Sequence, residues 1–147
     1  MASTLWPILL PILTTGLTQL VKATWKLAST GKLEFKDFFK WGGFPSSHSA
    51  LVACLATVVA ILSGIYSAEF AIALAFGVLV VRDAMGLRMF VQKNSLAISQ
   101  IRATLPTNIR RKIIEPERSV GHTQVQVAGG IFFGIAVALV WYWIFGF

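Results

Sequence analysis

Apolar residues group into four stretches along the chain, and polar residues gather between them. The stretches run from about Leu5 to Val21, Ser47 to Tyr66, Phe70 to Met89 and Val125 to Phe147. A membrane-spanning helix needs about 20 predominantly apolar residues. The pattern therefore predicts one all-α domain, residues 1–147, built as a membrane bundle of about four transmembrane helices. Because Pro7 and Pro11 interrupt the first stretch, we expect it to kink or to be re-entrant.

Composition excludes the main alternatives to a membrane protein. Hydrophobic residues make up 56% of the chain and charged residues 13%, against about 25% charged residues in soluble domains. Too few polar groups remain to cover a soluble surface, and the hydrophobicity excludes disorder. The net charge of +7 lies beside apolar stretches, which favours lipid head groups over nucleic acid. The single cysteine, Cys54, is expected to be a small buried hydrophobe.

Basic residues orient the predicted spans. Most lysines and arginines lie in residues 22–46 and 90–124, whereas the link between the second and third stretches carries only Glu69. Positive-inside counting places both basic segments in the cytoplasm, or in a plastid stroma, and both termini on the opposite side. We therefore expect a multi-pass protein of a bacterial inner membrane or of a plastid or thylakoid membrane.

The two basic segments differ in local pattern. Residues 32–40 mix lysines with aromatic side chains, which predicts a short helix lying in the membrane interface. Residues 95–117 contain Pro106 and Pro116. We expect this second segment to be irregular, with one helical turn at most.

Three polar clusters fall on the cytoplasmic side in this topology. The first, Gly42 to Ser49, opens the second span. Its glycines permit a tight backbone, Pro45 before Ser46 suits a helix start, and the N–H groups of a helix start bind anions. Ser47 and His48 add polar side chains beside them. The simpler alternative is an ordinary helix cap with an interfacial histidine.

The second cluster contains Arg82, Asp83 and Arg88 at the end of the third span. Charges so close to a span are costly unless they are paired or face a polar cavity. Snorkelling towards the interface explains Arg88 more easily than Asp83. Since the charges within the predicted spans all lie near one end of the third span, a transporter has little support.

The third cluster opens the fourth span and contains Arg118, His122 and Gln126. Histidine acts as a nucleophile or general acid near neutral pH, and arginine neutralises phosphoryl oxygens. Together with His48, the cluster supplies the groups for phosphoryl transfer through a phosphohistidine. A metal site and a Ser-His-Asp hydrolase fit less well, because the chain has neither a metal-ligand spacing nor a G-x-S-x-G elbow.

Five segments, in chain order, resemble the divergent PAP2 family of small membrane proteins, which is related to acid phosphatases and vanadium-dependent haloperoxidases. These segments are Gln19–Lys22, Gly42–Val52, Arg82–Arg88, Gly121–Thr123 and Gln126–Gly130. The most specific block is Pro-Ser-Ser-His-Ser-Ala at residues 45–50. The resemblance implies a PAP2-like reduced core, with fewer helices than the usual six-helix bundle, and a homodimer or larger complex that completes its packing.

The resemblance also implies roles for individual residues. In PAP2 phosphatases a P-S-G-H motif binds phosphate and supplies a general acid, and a later histidine is the nucleophile. The expected catalytic residues are His122 as nucleophile and His48 as general acid, with Asp83 as a carboxylate near them. The phosphate ligands implied by the family are Ser46, Ser47 and Lys22, the last as the family's early lysine. The polar clusters add Arg82, Arg88 and Arg118 as expected phosphate ligands.

Three features depart from the family pattern. Gln126 stands where a carboxylate orients the nucleophile; glutamine can accept a hydrogen bond from His122 but cannot stabilise the imidazolium by charge. Asp83 or Glu117 is expected to substitute if the fold brings either one near. No K-x6-R-P motif precedes Pro45, and Arg118 lies four residues before His122 where the wider pattern has six.

Two functions follow as expectations. The first is a membrane phosphatase that hydrolyses a phosphorylated lipid at the cytoplasmic face through a phosphohistidine, without a metal or cofactor; a haloperoxidase is a weaker variant. The second is a catalytically inactive protein that binds lipids or serves as an assembly or scaffold subunit of a membrane complex. Membrane lipids are the expected partners in both cases, and nucleic acid is not.

Overall fold

Helices make up the regular structure of the computed structural model, which describes residues 5–32, 34, 43–116 and 123–146, apart from the side chains of Leu87 and Arg88. The helices are α1 (Trp6–Thr30), α2 (Ser47–Ser63), α3 (Ala68–Met85), α4 (Leu87–Thr104), α5 (Thr107–Arg110) and α6 (Gln124–Phe145). Within those residues there is no strand, so the predicted all-α class is confirmed.

Three helices begin at a hydroxyl side chain that accepts a hydrogen bond from the first turn. Ser46 caps α2, Ser67 caps α3 and Thr123 caps α6. Each hydroxyl satisfies a backbone N–H group that has no acceptor inside its helix. The helix start predicted from Pro45 and Ser46 is therefore confirmed.

The α2 helix is central and packs against α1, α3 and α6. Its approach to α6 is close because Gly130 and Gly134 face it. A β-carbon at Gly134 would overlap the Ala50 carbonyl oxygen and lie 2.9 Å from the Cys54 nitrogen. A β-carbon at Gly130 would overlap the Ser46 carbonyl oxygen. Small residues one turn apart let membrane helices meet at backbone distance, so these glycines fix α6 against the first half of α2.

A small apolar core lies where α1, α2 and α6 meet. Its buried members are Leu10, Cys54, Val58 and Ala138, with Val137 and Trp141 packed against them. The Thr14 hydroxyl donates to the Leu10 carbonyl oxygen at 2.8 Å and lies 3.3 Å from the Cys54 sulfur. The Trp6 ring meets the Trp141 ring edge-on at 4.8 Å between centroids. Cys54 is fully buried, as its apolar surroundings predicted.

The outer surface is rich in apolar side chains. Ile72, Phe132 and Trp143 are examples, and Trp143 is 85% exposed. Residues 68–104 and Gln124–Phe145 are long and apolar enough to cross a membrane, and Ser47–Ser63 is a shorter apolar helix. A bilayer, unlike water, solvates such a surface favourably. The architecture is a helical membrane bundle.

Two predictions about local structure need correction. α1 is one helix that runs past Val21 to Thr30. Pro7 lies in its first turn, where no intrahelical N–H bond is lost, and Pro11 lies inside the helix without ending it. The segment expected to be irregular from residue 95 is helical to Thr104 in α4, and a short α5 follows. α4 ends at Thr104, because the next residue, Leu105, has the extended backbone expected before Pro106.

The third predicted span, which was expected to reach Met89, divides at Gly86. There α3 ends and α4 begins, and a β-carbon on Gly86 would lie 2.9 Å from the Arg82 carbonyl oxygen. The interfacial helix predicted for residues 32–40 falls mostly outside the described residues.

Candidate active site

The starts of α2 and α6 are joined by a backbone hydrogen bond. The Ser46 N–H donates to the Gln126 carbonyl oxygen at 3.0 Å. Ser46 precedes the first residue of α2, and Gln126 lies in the first turn of α6. The Phe44 ring also covers Gly129, where a β-carbon would lie 2.6 Å from its Cζ atom. Two helix starts that are far apart in sequence therefore form one polar end of the bundle.

The two buried serines of this polar end, Ser46 and Ser49, form hydrogen bonds with each other at the start of α2. The Ser46 hydroxyl accepts the Ser49 backbone N–H at 3.4 Å and the Ser49 hydroxyl at 3.0 Å. Neither serine has exposed surface. Since a buried hydroxyl needs such partners, this geometry gives Ser46 a capping role. The predicted contact between Ser46 and phosphate stays a prediction.

Lys22 brings a cation from α1 to the start of α2. Its ammonium group donates to the Ser47 hydroxyl oxygen at 2.8 Å. Gly43, with a φ of 85°, lies beside the lysine stem, and a β-carbon there would be 3.8 Å from Lys22 Cδ. Burial of this half-buried side chain lowers the pKa of Lys22 below its ordinary value of 10.5. Two predicted phosphate ligands, 25 residues apart in sequence, are thus in direct contact.

Gln19 is a neighbour of this lysine that the site prediction did not include. It lies one turn before Lys22, so both side chains share a face of α1. Its side-chain oxygen is buried and has no hydrogen-bond partner among the described residues. A buried acceptor without a donor is unusual in folded proteins. The polarity of Gln19 inside an apolar stretch is the sequence signal that would have singled it out.

α3 contributes Arg82 and Asp83 in its last turns. A cavity of about 440 Å³ borders both residues and extends to Gly86 and Phe90. α2 and α3 pack against each other, and Gly77 faces Val52, so the end of α3 lies towards the start of α2. Arg82 is exposed and Asp83 is half-buried.

Gln126 has a structural part in the start of α6. Its side-chain oxygen accepts the Thr123 backbone N–H at 3.0 Å, while the Thr123 hydroxyl accepts the Gln126 N–H at 3.3 Å. This reciprocal pair is a capping box. The predicted hydrogen bond from the His122 imidazole to Gln126 remains a prediction, because His122 lies outside the described residues.

The remaining predicted residues are placed less completely. His48 is the second residue of α2 and is half-buried. Arg118 lies outside the described residues, and Arg88 is described only as part of the α4 backbone. The described ranges contain no group of three or more histidine, cysteine or acidic side chains placed to hold a metal ion.

Comparison with known proteins gives two matches. Residues 5–137 match the family model described as the divergent PAP2 family. The uncharacterized membrane protein YuiD of Bacillus subtilis (strain 168) is 28% identical, and the aligned region covers 92% of each chain. A search of the solved structures finds none that matches.

Proposed function

The chain belongs to the divergent PAP2 family, and from this membership we propose that it is a membrane phosphatase acting on a phosphorylated lipid. The observation that carries the proposal is the contact between Lys22 and Ser47 at the start of α2. It joins a cation to the motif that binds phosphate in PAP2 phosphatases. Helix N–H groups and a nearby ammonium group together favour an anion.

The proposed reaction has two displacements on phosphorus. An imidazole nitrogen of His122 attacks, the bond from phosphorus to the lipid oxygen breaks, and His48 gives that oxygen its proton. Water then gives a proton to His48 and attacks the phosphohistidine, which releases inorganic phosphate and restores the free imidazole of His122. Lys22 and Arg82, with Arg88 and Arg118, would neutralise the phosphoryl oxygens in both steps.

The topology suits a substrate that stays in the membrane. If four helices span the bilayer, with residues 22–46 and 90–124 on the cytoplasmic or stromal side, the start of α2 lies at head-group depth on that side. A lipid phosphate reaches this depth without leaving the bilayer. In this proposal both termini lie on the opposite side, and a second copy packs against the apolar surface.

A second candidate function is a catalytically inactive lipid-binding or assembly subunit. The observation that favours it is the capping box, in which the Gln126 side-chain oxygen already accepts the Thr123 N–H. This residue stands where PAP2 phosphatases have a carboxylate, and an amide cannot stabilise an imidazolium by charge.

Phosphate release by the Gln126→Glu variant separates the two candidates. Glutamate at this position preserves the capping box and is favourable at a helix start, so the variant should fold. It supplies the missing carboxylate, and we expect it to hydrolyse phosphatidic acid about tenfold faster than the wild type. The assay uses purified protein in nanodiscs, with Gln124→Glu as the control for added charge. Release by the wild type and faster release by Q126E support the phosphatase, release by Q126E alone supports the inactive subunit, and release by neither contradicts the phosphatase.

The pH dependence of binding tests the role of Lys22. Only the protonated amine attracts phosphate, and burial lowers the pKa of Lys22. The affinity for short-chain phosphatidic acid should therefore fall as the pH rises, with a midpoint below 10.5. Arginine keeps its charge to a pH above about 12, so Lys22→Arg should remove this decline, while Lys22→Met should weaken binding about tenfold at neutral pH. If the affinity of K22R falls with rising pH as it does in the wild type, the fall comes from the titration of another group.

A further inference from the structure

An apolar groove runs along the contact between α2 and α3. Its volume is about 370 Å³, and its walls include Val52 and Ala56 from α2 and Gly77 and Val78 from α3. This volume lies within the range of small-ligand sites, about 300–1,000 Å³. Gly77 lies directly beside Val52, because a β-carbon built on Gly77 would be in van der Waals contact with Val52 Cβ at 3.7 Å.

Arg82 lies at one end of this groove and supplies its charge. Gly77 of α3 faces Val52 of α2. Arg82 lies about one and a half turns after Gly77 in α3, and Ser47 lies the same number of residues before Val52 in α2. A helix rises about 1.5 Å per residue, so in this antiparallel pair both residues lie at about the same depth. The apolar groove therefore leads to the level of the polar end formed by Lys22 and Ser47.

We propose that the groove binds one hydrocarbon tail of an anionic phospholipid, with the lipid phosphate beside Arg82. The apolar walls match the tail, and the exposed guanidinium matches the phosphate. Arg82 has no ion pair or hydrogen bond from its side chain to the rest of the described chain, and α3 is apolar for several turns before it. A cation at the end of an apolar groove complements a lipid, which has one anionic end and one apolar end.

A lipid explains the groove better than a helix from a second protein. An apolar helix placed against α2 and α3 would cover the Arg82 guanidinium without supplying a negative charge, and burying an unpaired charge is costly. The chain's net charge of +7 also favours anionic lipids over zwitterionic ones. The inference deepens the proposed function, on which it rests for the phosphate beside Arg82.

Photo-crosslinking in nanodiscs tests this assignment. The probe is phosphatidylglycerol with a diazirine on one tail, and the crosslinked peptides are identified by mass spectrometry. We expect crosslinks concentrated at the α2 and α3 residues that face the groove, such as Ala56 and Val78. Gly77→Leu should reduce them about tenfold, the loss expected when about two buried methylene groups are displaced. Gly16→Leu is the matched control, because a β-carbon on Gly16 meets nothing within 4 Å.

The charge is tested by the same probe built on phosphatidylcholine. In the wild type the phosphatidylglycerol probe should crosslink more strongly than the phosphatidylcholine probe, and Arg82→Gln should abolish this preference.

Two results would overturn the proposal. One is crosslinks spread evenly over the outer surface, and the other is crosslinks unchanged by G77L in protein with unchanged thermal unfolding. Crosslinking requires no hydrolysis of the probe. A groove-specific pattern in a protein that releases no phosphate would contradict the phosphatase alone, and phosphate release with evenly spread crosslinks would contradict the groove alone.

Discussion

Replacing His122 with alanine is expected to reduce phosphate release from a lipid phosphate by at least about 10³-fold, the loss typical when a catalytic nucleophile is removed. The variant should also form no phosphoenzyme. Wild-type protein incubated with labelled phosphatidic acid and quenched should carry phosphate that is labile to acid and stable to base, as a phosphohistidine is. The labelled peptide should contain residues 121–126.

Two variants make this result specific. Val125→Ala changes an exposed side chain three residues away, 72% exposed in the wild type, and should leave release unchanged. His48→Ala should slow the hydrolysis of phosphatidic acid but spare that of p-nitrophenyl phosphate, whose leaving group needs no proton. A phosphoenzyme that persists in H122A, or an equal loss with both substrates in H48A, would contradict these roles.

Replacing Gly134 with alanine is expected to lower the free energy of unfolding by about 2 kcal/mol or more. Even one methyl group at this position would overlap the Ala50 carbonyl oxygen and lie 2.9 Å from the Ala50 carbonyl carbon. Both atoms belong to the backbone of α2, so no rotation of a side chain relieves the overlap and the helices must move apart. Thermal unfolding in detergent, followed by tryptophan fluorescence, measures the effect, because Trp6 and Trp141 meet at the α1–α6 contact.

Gly16→Ala is the matched control for this substitution. It is also a glycine inside a long helix, but a β-carbon there meets nothing within 4 Å. Alanine has the higher helix propensity, so G16A should unfold at the wild-type temperature or slightly above it. If G134A unfolds together with G16A, the close packing of α2 on α6 does not contribute to stability as proposed.

Sequence patterns predicted the uniformly apolar helices better than the helix of mixed polarity. α2, α3 and α6 are nearly uniform in their apolar character, and the hydroxyl residues at Ser46 and Thr123 marked two of their starts. α4 was missed because polar side chains interrupt its apolar positions and Pro106 lies just beyond its end. Its composition, with leucine, arginine, glutamine, lysine and alanine, is that of a good helix former. Apolar runs alone did not reveal it.

The site was predictable as a set of residue types but not as a set of contacts. In the sequence, serines before a histidine fit phosphate binding and helix capping equally well. Only the structure shows that the Ser46 hydroxyl accepts a hydrogen bond from the Ser49 hydroxyl. The pair of Lys22 and Ser47 depends on the packing of α1 on α2, which local patterns do not specify. The Gly130-x-x-x-Gly134 spacing was visible, and small residues at this spacing are a known signal of close helix contact.

The backbone contact between α2 and α6 also has a consequence for sequence divergence. His48 and His122 each lie within two residues of a helix start, and those starts are held together by the Ser46–Gln126 backbone hydrogen bond and the two glycines. None of these restraints except the glycines depends on the identity of a side chain. The lipid-facing positions of both helices are therefore free to drift among apolar residues while the relative placement of the two helix starts stays constant. A bundle built in this way can accumulate many substitutions and still keep the frame on which its polar end is assembled.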